Sequence, residues 1–311
     1  QEHVERTLNC KVDVRKGSNC SRVVVVTGDA KSIHCLESLT HYLDSGDVPS
    51  MYEDVASLVI VPREVVGYVK GSKRFNLGRN VYIPEPKPWT NADSPSRSFF
   101  VVSREKRSIY IAEAKILVCA NLCLESRTDY TDTWLNGRYE DHESAAEGVD
   151  RDIIDLTRQE DAQEKARLLR SKGGPANKLM QASGCSLGCV VHFVFIVGDL
   201  AQRQRARFLV ACVLQQMNDH SRSVNVPEHE VVRHGGKAID VPAECSTLAF
   251  ATIEKDTCTT LFFVVNANEK FGQEKKLAIC GECTENVEKA ERHINAMLGR
   301  RPRNHWRPVG R

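Results

Sequence analysis

The residues best able to do chemistry stand where basic side chains adjoin glycine. Gly71-Ser72-Lys73-Arg74 is one such stretch; Arg170-Ser171-Lys172-Gly173-Gly174, followed by Lys178, is another. Glycine removes the Cβ that would hold a phosphate backbone away, and Lys or Arg supplies charge to retain it. A helix opening just behind such a loop adds free N–H groups and a positive dipole end. Residues 300–311 hold a third set, Arg300, Arg301, Arg303 and Arg307 around Trp306. Arginine pairs with phosphate in a bidentate way and tryptophan stacks on an unpaired base.

The elements that must position the second stretch are legible by period. Ala166, Leu168 and Leu169 form an apolar helix end before the loop, and Ala176, Leu179 and Met180 open a helix that closes at Ser183-Gly184. Val190 to Val197 reads as a strand-like run, which Gly198-Asp199 breaks. A helix follows with Ala206, Leu209, Val210, Val213 and Leu214 on one face and Arg203, Arg205 and Arg207 turned outward. The strand-break-helix ending recurs. Val23–Val26 precedes a helix bearing Ile33, Leu36, Leu39 and Leu43. Phe99–Val102 precedes one bearing Ile109, Ala112, Ile116 and Leu117. Leu277–Cys280 precedes one bearing Val287, Ala290, Ile294 and Leu298. The strand ends fall at Gly28, Arg104, Gly198 and Gly281, about one small domain apart. The chain reads as a tandem repeat.

Helix, basic loop, helix, strands and helix, with apolar residues three and six positions after Gly173 and a helix stop eleven after it, resembles the type I KH family. Val66-Gly67-Tyr68-Val69-Lys70-Gly71 also resembles that family's V-G-x-I-I-G. The resemblance implies an α+β fold of β-α-α-β-β-α units, each a three-stranded sheet backed by helices. It also implies a groove beside the helix–loop–helix for about four nucleotides of single-stranded RNA. Both loops depart from the family's GxxG: the first keeps Gly71 but has Arg74 last, and the second keeps Gly173 but has Arg170 first.

In chain order, residues 1–45 read as the C-terminal part of a KH unit. Gln1 is taken as the trimmed end of a longer protein, with that unit's loop and first helices upstream. Asp44-Ser45-Gly46-Asp47 is a short linker. Residues 55–126 form a unit with a shortened second helix and a long Pro- and Ser-rich loop at 84–97. Residues 127–150 are an acidic, solvated linker with Trp134 and Tyr139 as candidate docking anchors. Residues 151–219 form the full unit. Residues 229–299 form a degenerate one whose loop, Glu244-Cys245-Ser246-Thr247, has neither glycine nor basic residue. Residues 300–311 are the basic tail.

Composition bounds the function. Hydrophobic residues make up 41% and charged ones 27%, and the formal net charge is +2, so no strong global field draws in nucleic acid. No apolar run approaches the roughly 20 residues of a membrane span. The chain has 12 cysteines; Cys35, Cys119, Cys123 and Cys212 fall on apolar helical faces, which points to buried thiols and a reducing intracellular compartment. Cys280 and Cys283 lack a second pair at metal-binding spacing, so no metal or other cofactor is expected. None of the phosphate-loop, nucleophile-elbow, zinc-protease or dinucleotide motifs occurs, and His234-Gly235-Gly236 is a turn. The expectation is a non-catalytic single-stranded RNA-binding array within a larger ribonucleoprotein or RNA-processing complex, with other subunits as protein partners. The alternative is a pseudo-KH scaffold that makes protein contacts only.

Overall fold

The computed structural model describes residues 2–16, 22–71, 96–126, 135, 139–171, 174–219, 221–242, 249–265 and 275–299. It is an α+β protein. The elements run α1 (Glu2–Leu8), β1 (Lys11–Lys16), β2 (Arg22–Thr27), α2 (Ala30–Ser45), β3 (Ala56–Pro62), α3 (Val66–Gly71), β4 (Ser96–Val102) and α4 (Lys106–Glu125). They continue β5 (Asp150–Asp155), α5 (Ala162–Arg170), α6 (Pro175–Ser183), β6 (Ser186–Val190), β7 (Phe193–Gly198) and α7 (Leu200–Asp219). The chain then adds β8 (Ser223–Val224), α8 (Glu228–Arg233), β9 (Lys237–Val241), α9 (Phe250–Thr257), β10 (Thr259–Val264), β11 (Lys275–Gly281) and α10 (Thr284–Met297). These elements form two compact units, Gln1–Arg158 with Gly188–Val197, and Gln159–Leu187 with Gly198–Arg311.

The sheets share one plan. Strand order is β5-β7-β6 in one sheet and β8-β10-β11-β9 in another; β7 lies between β5 and β6 as β11 lies between β9 and β10, and β8 is an extra strand on the β10 edge. The pairs β3–β4 and β1–β2 are the corresponding partial sheets. From β5 to α7 the element order is β-α-α-β-β-α, compatible with the KH-like order of the resemblance.

In the first unit, helices cover sheets on both faces. Val59, Val61, Phe99 and Val101 pack with α3 and α4, while Ala56, Phe100 and Val102 turn to the opposite face and meet α2. There Tyr42 stacks on Phe100 at 4.7 Å and 10°. Strands buried on both faces read as continuous apolar runs, the pattern of Phe99-Phe100-Val101-Val102. Burying Phe100 completely contributes about 2–3 kcal/mol. Helix α4 is buried on more than one side for the same reason: it also packs against Ile153, Val190, Val191, Phe193 and Phe195. In the second unit, β10 and β11 bury Leu261, Phe263, Leu277 and Ile279 against Phe250, Val287, Ala290 and Ile294.

Four expectations are corrected. The Val190–Val197 run is two strands, reversed at Val191-His192 with Val191 at φ 53; a valine there carries no turn signal, and it is held by burial among its neighbours. Asp44 and Ser45 belong to α2, which ends at Gly46, rather than to a linker. On that helix the buried face is Cys35, Leu39 and Tyr42, whereas Ile33 and Leu43 are exposed, because the β3–β4 sheet selects the stripe it covers. The acidic linker is not wholly solvated: Leu135 is fully buried, and Tyr139 packs edge-on to Phe195 and donates a hydrogen bond to Glu113. Trp134 and the variable loop at 84–95 lie outside the described residues.

Candidate nucleic-acid interface

The α5–α6 junction carries the largest described part of the predicted phosphate-binding residues. Helix α5 ends at Arg170, and its last turn is basic through Arg167 and Arg170, which complements the negative dipole end. Arg167 is engaged by Glu164 one turn earlier (2.6 Å). Ser171 leaves the helix in extended geometry and its hydroxyl donates to the Leu168 carbonyl at 2.9 Å. Lys172 and Gly173 lie outside the described residues.

Gly174 is the N-cap of α6, and its N–H donates to the Ser171 carbonyl at 2.7 Å. A Cβ at Gly174 would lie 2.6 Å from the Leu168 carbonyl oxygen and 2.8 Å from that of Ser171. The backbone folds too tightly for any side chain there. Gly173, where the sequence placed the last loop glycine, lies outside the described residues; the close approach observed is that of Gly174. Pro175 occupies N1 with φ already suited to the helix and no N–H to leave unsatisfied. No side chain caps the N–H groups behind it. This helix end can therefore accept an anion at its free amides.

The far end of α6 shows why it is placed so. Gly184 takes φ 76, returning its N–H to Met180, while the Ser183 hydroxyl donates to the Leu179 carbonyl at 2.6 Å. Cys258 does the same after α9 with φ 53, and Thr257 repeats the serine's bond to Ile253 at 2.6 Å. Each stop feeds directly into a strand.

Several candidates lie elsewhere. Lys178 is not aimed at the loop: its ammonium pairs at 2.8 Å with Glu254, whose side chain is 5% exposed. Glu254 also accepts the Leu261 N–H at 3.0 Å. Arg203, predicted to face outward, is fully buried and donates to the Gly198 carbonyl at 2.7 Å. It stands three residues before Ala206 and so shares that apolar face. Arg205 donates to the carbonyls of Ser183 and His234. Gly71 closes α3. Ser72, Lys73, Arg74, Arg300, Arg301, Arg303, Trp306 and Arg307, with the loop at Glu244–Thr247, lie outside the described residues.

Burial raises the Cys212 thiol to about 12 and pushes Cys280 up further still, so both stay protonated. Cys280 is buried while Cys283 is exposed. Among the described residues no group of three His, Cys, Asp or Glu could hold a metal ion, and no described helix is long and apolar enough to cross a membrane.

No protein-family model and no curated protein matches the chain. Among solved structures it is similar to Dim2p of Pyrococcus horikoshii OT3 in an a/eIF2alpha-aDim2p-rRNA complex. The two are 14% identical over 58% of this chain and 90% of that one, with a TM-score of 0.30. Dim2p by itself gives 14% identity over 58% and 96%, with a TM-score of 0.29. A protein of unknown function from Aeropyrum pernix gives 14% over 51% and 82%, with a TM-score of 0.27.

Proposed function

We propose that the chain is a tandem array of KH-like units that binds single-stranded RNA without catalysis, inside a larger ribonucleoprotein or RNA-processing complex. The α5–α6 junction carries this reading. A turn that admits only glycine at 174 leads into an uncapped helix N-terminus, with Arg170 and Lys172 beside it in sequence. A strand's phosphates would meet free amides and cations there, and its bases would lie along the adjoining surface. Described thiols such as Cys35, Cys212 and Cys280, buried and unbridged, suit a reducing intracellular compartment.

The test is binding of short single-stranded RNA by the full chain across a salt series, with Lys172→Asp plus Gly173→Asp as the variant. RNA binding is expected to weaken as salt rises, because phosphate contacts release counterions. The double variant is expected to lower affinity at least about tenfold. No binding by the wild type at low salt rejects the RNA reading.

A second reading is favoured by Lys178, which is spent on Glu254 instead of the solvent in front of the loop. In that reading the units are a protein scaffold within the same complex. An unaltered RNA affinity in the double variant, with loss of co-purifying subunits, selects it.

A further inference from the structure

Ser171, on the turn between α5 and α6, has a hydroxyl that the RNA reading does not use. It is the C-cap of α5 and is exposed, and its φ of −57 and ψ of 157 put it in extended rather than helical geometry. Its hydroxyl donates to the Leu168 carbonyl at 2.9 Å. The same oxygen would lie 2.8 Å from a Cβ added at Gly174, so it rests against the N-cap of α6. An exposed residue thus carries its oxygen where a strand's phosphates would meet the chain.

The side chains flanking it are cations. Arg167 and Arg170 make the last turn of α5 basic, and Lys172 follows Ser171 in the sequence. Glu164, which holds Arg167, lies one turn further back. Other exposed serines are set differently: Ser45 follows Asp44, and Ser126 follows Glu125. An enzyme surface lined with carboxylates pairs with arginine and so selects a serine by its basic flanks. It also needs a stretch of chain that can extend into it. Ser171 is already extended, and the helix end before it can fray.

A phosphoryl group on this oxygen would act in three ways, all in one direction. It sets about two negative charges where RNA phosphates must approach, and like charges repel. It offers oxygens to Arg170 and Lys172, which then pair within the chain rather than with RNA. It also removes the hydroxyl proton that the Leu168 carbonyl accepts, and puts negative charge beside the negative dipole end of α5, which loosens the turn.

We propose that Ser171 is a phosphorylation site and that its modification switches off RNA binding at the α5–α6 turn. The switch rests on the RNA reading of that turn. The modifying enzyme is a protein kinase that takes basic substrates, and the phosphoryl donor is a nucleoside triphosphate. The bond from the terminal phosphorus to the diphosphate breaks, a bond from that phosphorus to Ser171 Oγ forms, and the hydroxyl proton passes to the kinase's base.

The experiment compares the unmodified full chain, the full chain made with phosphoserine at 171 by translational incorporation, and Ser171→Ala. Each is titrated with one short single-stranded RNA across a salt series. Phosphoserine is expected to lower affinity about tenfold or more at low salt, and less as salt screens the charge. Ser171→Ala is expected to stay within about threefold of the unmodified chain, because one exposed hydrogen bond contributes little. In parallel, the unmodified chain is treated with ATP and a serine kinase that prefers basic substrates. Mass spectrometry is expected to find phosphate on Ser171 ahead of Ser45 and Ser126. Absence of phosphate from Ser171 after that treatment overturns the site. Equal affinities with and without phosphoserine overturn the switch and leave the RNA reading standing. So does a loss in Ser171→Ala as large as that caused by phosphoserine, which would trace the effect to the missing hydroxyl. Failure of the unmodified chain to bind RNA at low salt rejects the RNA reading itself, and the switch falls with it.

Discussion

The β1–β2 hairpin and the β10–β11 hairpin are built alike and end differently. Each follows a helix stopped by a residue in left-handed conformation, Asn9 at φ 51 and Cys258 at φ 53. Three residues after the stop, Val12 pairs with Val26 in one, and Leu261 pairs with Ile279 in the other. Five residues after it, Val14 pairs with Val24, and Phe263 with Leu277. The faces correspond, yet Val14 is 47% and Val24 55% exposed, whereas Leu277 and Ile279 are fully buried. Around β11 the difference is supplied by β9 on its free edge and by α9 and α10 over its face. Among the described residues, β2 has β1 alone as a strand neighbour. Alternating valines define a face that can be buried; the elements that arrive decide whether it is.

The widest contrast is expected from truncating corresponding residues. Ile279→Ala should cost about 3 kcal/mol, from lost transfer energy and an unfilled cavity, while its counterpart Val26→Ala should cost well under half of that. Urea midpoints of the two variants measure it. Equal losses would mean that the valine face is covered as well as its counterpart.

Lys178→Ala comes next. It strips the partner from a carboxylate held in the interior, and a buried charge left uncompensated should cost roughly 2–3 kcal/mol. Lys178→Ala with Glu254→Gln should recover most of that. If the double variant is no more stable than the single one, the ion pair is not what Lys178 provides.

The helix stops give a smaller and opposite effect. Cys258→Gly relieves a left-handed conformation that a Cβ disfavours and should stabilise by about 1 kcal/mol. Asn9→Gly should gain only a few tenths, because asparagine tolerates that region. A melting temperature lowered by Cys258→Gly would mean that the thiol's packing outweighs its backbone strain.

The last effect depends on pH. Burial, opposed by Glu230, holds the His234 imidazole below its ordinary value of 6.5. Below about pH 6.5 the unfolded chain therefore binds a proton that the folded one resists, and stability falls as pH drops. His234 also stacks on Phe208 at 4.6 Å. His234→Phe should flatten this acid slope between pH 6.5 and 5, which thermal melts across that range would read. An unchanged slope would assign it to other groups.

How much was legible in the sequence can be judged element by element. Ile109, Ala112, Ile116 and Leu117 are all fully buried as the period of α4 predicts, because that stripe is continuous and faces the core. The same logic picked the wrong stripe on α2, where both flanks carry apolar residues and the β3–β4 sheet made the choice. Arg203 lies on the apolar face by spacing, and its charge hid it; only the Gly198 carbonyl at the strand end explains an arginine there. The turn at Val191 was unreadable, since no glycine, asparagine or proline marks it. At the loop, the two adjacent glycines were visible, but the crowding of Gly174 by the Leu168 and Ser171 carbonyls was not.

The sequence by itself determined the α+β class, the strand-then-helix repeats, the helix stops and the basic loops, because period, breakers and residue charge are local properties. The tertiary structure alone decided what each repeat packs against, and so which valines stay wet and which helix is buried on more than one side. It also brought Thr260, Arg222, Lys178 and Glu254 to one cavity. Those residues come from separate elements with no common motif, and a cavity assembled by packing has no spacing for a sequence to show.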